Sequence, residues 1–107
     1  MSEVIIHHNG AYNIYSSISD SPFFESGLSL EQLTAYTEDE YGRVGLERLP
    51  QSLERAHAKG SSGLSSRTLH DVIAANSERL TDKQFIEKYL TIRNDDVAIF
   101  DQRTEAS

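Results

Sequence analysis

A chain of 107 residues, 37% of them hydrophobic, supports one domain with a modest core. It has no cysteine, which excludes disulfides, a thiolate nucleophile and cysteine-ligated zinc. A formal charge of −7 opposes nucleic-acid backbones and anionic membranes at long range, and no apolar run is long enough for a membrane span or a signal-peptide core. The expectation is a soluble cytoplasmic protein, one domain over residues 1–100 with a disordered tail at 101–107.

Residues 3–17 set the start of the fold. Two runs rich in β-branched and aromatic residues, EVIIHH and AYNIYSS, flank Asn9-Gly10. Both turn residues tolerate positive φ, so a type I′ hairpin is predicted. That turn pairs His8 with Ala11, His7 with Tyr12, Ile6 with Asn13, Ile5 with Ile14 and Val4 with Tyr15. One face carries Ile5, His7, Tyr12 and Ile14; the other carries Val4, Ile6, His8, Ala11, Asn13 and Tyr15. A lone hairpin is marginal in water. A short third strand at residues 23–26, opened by Pro22, would support it.

The first helix is expected at residues 30–41. Ser29 and Gln32 form a capping box, with Leu28 and Leu33 at the hydrophobic-staple positions around it. Leu30, Leu33, Thr34, Thr37 and Tyr41 share a face, and Gly42 is placed to end the helix. A short helix then precedes Pro50, and another runs from Pro50 to Lys59, stopped by Gly60, with Leu53, Ala56 and His57 inward. KGSSGLSS, residues 59–66, reads as a mobile surface loop; it lacks the glycine spacing of phosphate-binding loops. Ser66 or a neighbour caps a helix reaching about residue 79. Thr81 and Gln84 form a second capping box, with Leu80 and Phe85 as its staple. Residues 94–96 form a turn, and 97–100 a fourth strand or an apolar strap. The predicted fold is α+β: an antiparallel meander of about three strands with four or five short helices against one side. Its core comprises Ile5, Ile14, Phe24, Leu30, Leu33, Leu46, Leu53, Leu69, Val72, Ile73, Phe85, Ile86, Tyr89 and Leu90.

Little in this pattern points to catalysis. His7 and His8 are strand neighbours on opposite faces, and His57 and His70 sit on separate predicted helices. His70-Asp71 lacks an ordered nucleophile, and Gly63-Leu64-Ser65-Ser66 is not a nucleophile elbow. No metal, cofactor or catalytic residue is expected. The charge is uneven, however. Between Arg43 and Arg67 five basic residues face two acidic ones, leaving ten net negative charges elsewhere. Arg48, Arg55, Lys59 and Arg67 could therefore touch phosphates, or the acidic remainder could imitate nucleic acid. Pairing with the acidic first helix is the simpler reading of that basic stretch.

Protein binding asks least of the sequence. Glu38, Asp39 and Glu40 fall in the last turn of the first predicted helix, where the macrodipole disfavours acids. With Tyr41 beside them they form a candidate surface for a basic partner. Neutralisation by Arg43 and other nearby cations is the competing explanation. The stretches GAYNIYSS, LSLEQLTAYTEDEYG, GLERLPQSLERAHAKG and FIEKYLT resemble small uncharacterised accessory proteins of bacterial phages and prophages. That resemblance implies a cytoplasmic bacterial setting and a non-essential or regulatory role. It assigns no functional residue.

Overall fold

The computed structural model describes residues 3–16, 18–19, 21–63 and 68–93. The element order is β1 (Glu3–His8), β2 (Ala11–Ser16), β3 (Ser21–Pro22), α1 (Leu30–Lys59), α2 (Leu69–Ala74) and α3 (Asp82–Tyr89). The fold is α+β, with the strands in one antiparallel sheet ordered β1-β2-β3. Three helices are found among the described residues, against the expected four or five. The predicted turn at 94–96, the strand or strap at 97–100 and the tail at 101–107 lie outside those residues.

The β1–β2 register is the one the turn dictates, from His8↔Ala11 to Val4↔Tyr15, and it extends to Glu3↔Ser16. Asn9 and Gly10 adopt φ of 49° and 80°, the positive values a type I′ turn requires. The third strand lies earlier than expected, at Ser21–Pro22 rather than 23–26. Asn13 explains the shift. Its side-chain oxygen accepts from the Phe24 N–H, and its amide donates to the carbonyls of Phe24 and Ser26. A side chain thus occupies backbone groups that a strand at 23–26 would use.

The helices cover both faces of the hairpin, not one. On the first face Tyr12, Ile14 and Ile5 pack with Leu28, Leu33, Tyr36 and Leu49. On the second, Ile6, Tyr15 and Val4 pack with Val72, Ile73, Phe85 and Leu90. The apolar content on both faces of the predicted hairpin thus serves two cores, one under α1 and one under α2 and α3.

α1 begins at the predicted capping box, with Ser29 and Gln32 bonded reciprocally. Leu28 and Leu33 meet in one cluster, as a hydrophobic staple should. The buried stripe is Gln32, Leu33, Tyr36 and Thr37, rotated from the expected face, so Leu30 is 48% exposed and is not core. Gly42 does not stop the helical run: it divides α1 into two limbs at the position where the first helix was expected to end. Its φ of 64° and ψ of −150° fall in a region open essentially to glycine alone, and helical geometry resumes at once. Pro50 breaks nothing either; it lies on the exposed side of the second limb, where a lost hydrogen bond is least costly. Gly60 caps the C-terminus in the left-handed conformation, as expected.

The residues after Gly60 depart from the expected surface loop. Ser61 and Ser62 are buried. The His7 N–H donates to the Gly60 carbonyl, the Ser62 N–H to the Ile5 carbonyl, and the Ile5 N–H to Ser62 Oγ at 2.8 Å. This segment therefore seals the outer edge of β1, which would otherwise present unpaired backbone groups. Gly and Ser suit the task because they bring little bulk to a tight edge.

α2 starts later and ends earlier than predicted. Thr68, not Ser66, is the N-cap, in a capping box with Asp71. The helix stops at Ala74, since the Asn76 side chain donates to the Val72 carbonyl that the next turn would use. Turns bonded three residues apart carry the chain to residue 79. The second predicted capping box, Thr81 with Gln84, opens α3, with Leu80 and Phe85 in the same core.

Candidate functional site

The kink at Gly42 brings the two limbs of α1 together over the start of β1. Gly45 sits so close to the preceding turn that an added Cβ would lie 2.5 Å from Tyr41 Cβ and 3.1 Å from Thr37 Cγ2. That close approach fixes Tyr41 at the rim of a cleft of about 270 Å³. Ile5 and Ile14 of the sheet and Tyr36, Val44 and Leu49 of α1 form its apolar walls. The Tyr41 hydroxyl donates to Glu3 Oε2 at 2.6 Å, tying the helix to the first residue of β1. Burial, this hydrogen bond and the Glu3 charge push the Tyr41 phenol well above its usual range. Tyr41 thus stays neutral and serves as a donor. Val44 is 56% exposed and Tyr41 42%, so two large apolar side chains flank the opening.

The residues singled out in the sequence fall around this cleft unevenly. Tyr41 and Arg48 line it. Glu38, Asp39 and Glu40 are exposed in the turn leading into Tyr41, and the charges of Glu40 and Glu3 both act on its phenol. Asp39 and Glu40 also interact within the fold. Of the basic set, Arg48, Arg55 and Lys59 lie on the second limb of α1. Arg55 donates from Nε to the Ser62 carbonyl at 2.8 Å, bracing the edge segment beside β1. Lys59 is half-buried in the last turn of α1. Arg67 lies outside the described residues.

A second cluster joins residues the sequence reading kept apart. His7 and His57 stack with ring centroids 4.4 Å apart, and the Tyr12 hydroxyl lies 2.6 Å from His57 Nε2. His7 Nε2 accepts from the Gly10 N–H, bracing the turn. The cross-strand pairing of His7 with Tyr12 was legible in the register; the arrival of His57 was not, because it depends on where α1 ends relative to the sheet. No group of three metal-ligating side chains forms among the described residues.

This cluster predicts a pH dependence. Burial first, then the positive charges that His57 and His8 can carry, hold the His7 imidazole below its ordinary 6.5. The unfolded chain therefore binds this proton more readily. Stability is fully present above the unfolded value and falls as pH drops through the folded one. The melting temperature should decline as pH falls below the ordinary imidazole value of 6.5, and H7Q should flatten that decline. An H7Q profile parallel to wild type would assign the effect elsewhere.

No helix among the described residues is long and apolar enough to cross a membrane. No protein-family model, curated protein or solved structure matches the chain to a significant degree.

Proposed function

We propose that this protein acts by binding another protein, as a phage- or prophage-type accessory or regulatory factor in a bacterial cytoplasm, and that the contact is made at the kink of α1. The supporting observation is a conjunction at one place. Tyr41 and Val44, both exposed, flank an apolar cleft, and the preceding turn presents Glu38, Asp39 and Glu40. Single exposed apolar residues are ordinary; an aromatic anchor beside a cleft with charge at its rim is the composition of a protein interface. The acids would draw a basic partner patch into register.

The test is the triple variant E38Q, D39N, E40Q, measured for thermal stability and for partner capture from the native host. The acids oppose the helix macrodipole by roughly 0.3–1 kcal/mol each, so stability should hold or rise while capture is lost. Lower stability with capture intact would make them structural pairing groups and remove this surface from the functional account.

A further inference from the structure

The cleft under Tyr41 has one polar group that the fold does not use. Glu3 receives the Tyr41 hydroxyl. The Ser62 hydroxyl accepts from the Ile5 N–H, the Ser52 hydroxyl from Arg55, and the Thr37 hydroxyl donates to the Leu33 carbonyl. Arg48 also lines the cleft, and no hydrogen bond or ion pair joins it to a described residue. Arg48 lies on the second limb of α1, beyond the kink at Gly42. The lining of the cleft therefore combines a satisfied carboxylate–phenol pair and aliphatic walls with an unpaired arginine.

We propose that this cleft binds a small organic acid: an apolar body against Ile5, Val44 and Leu49, and a single carboxylate on Arg48. The planar guanidinium fork matches a carboxylate with two parallel hydrogen bonds. One cation complements one negative charge, and the chain's net charge of −7 discourages multiply charged anions such as phosphate esters. The volume of about 270 Å³ falls just below that of ordinary ligand pockets, roughly 300–1,000 Å³, which suits a single ring or a short alkyl chain. The site goes beyond the protein-binding reading and does not depend on it, since it needs neither the partner nor the acids at 38–40.

Titration of the full chain with hexanoate and 3-phenylpropanoate, followed by amide NMR shifts, tests the site against hexanol and hexylamine as neutral and cationic controls. Saturable shifts should centre on Ile5, Val44, Gly45 and Leu49, with the acids binding about tenfold or more tightly than the alcohol. R48Q, a change at an exposed position, should reduce the acids to the affinity of the alcohol. Equal binding of acid and alcohol, a preference that survives R48Q, or no saturable shift would overturn the proposal. Since no partner is present, failure here leaves the test on residues 38–40 unaffected.

Discussion

N13D is expected to unfold the protein or bring it to the edge of unfolding, although it changes one side-chain group for another of the same shape. Asn13 is fully buried. Its amide donates to the carbonyls of Phe24 and Tyr89, each at 2.9 Å, and to Ser26 at 3.4 Å. Its oxygen accepts from the N–H groups of Ile14 and Phe24. One side chain thus joins β2, the segment before α1 and the end of α3. An aspartate keeps the acceptor, loses both donors and points negative charge at three carbonyl oxygens. Each buried group left without a partner costs about 1–3 kcal/mol, and more where charge is involved. The total approaches the whole stability of a small domain, about 5–15 kcal/mol. Urea unfolding at neutral pH measures the deficit. Acid should narrow the gap to wild type, because a protonated carboxyl regains one donor. A deficit below about 1 kcal/mol would show that these bonds do not hold the three segments together.

F85A should remove about 3–5 kcal/mol. Phe85 is fully buried among Ile6, Tyr15, Val72, Ile73 and Leu90, and its ring lies 5.2 Å from that of Tyr89. α3 has only eight residues, too few to persist in water without an apolar anchor. Loss of the ring therefore empties the second core and releases the helix that supplies the Tyr89 carbonyl to Asn13. Denaturant midpoints give the magnitude. Hydrogen exchange gives the order of events, with α3 amides exchanging before those of β1 and β2. Uniform exchange across the chain would mean that the two cores unfold as one unit.

What the chain determined by itself is what a few neighbouring residues can decide. Asn9-Gly10 set the turn and so every cross-strand pair. Ser29 with Gln32 and Thr81 with Gln84 opened two helices, and Gly60 closed one, because caps act between groups three or four residues apart. The box at Thr68 and Asp71 was equally local, but its aspartate departs from the usual glutamate or glutamine.

Other features required the tertiary structure, since each is a choice among partners far apart in sequence. Two-sided burial of the hairpin follows from where α2 and α3 return, which residues 3–16 cannot specify. Ser61 and Ser62 became an edge cover only because the end of α1 delivers them to β1. Gly42 was legible as a position of positive φ; whether the helix ended or resumed there depended on the apolar side chains of the second limb, Leu49 and Leu53, reaching the sheet. The cleft is a product of that resumption. Tyr41 and Arg48 look like unrelated surface residues in the sequence, and they share a site because burial of the second limb repays the bend at Gly42.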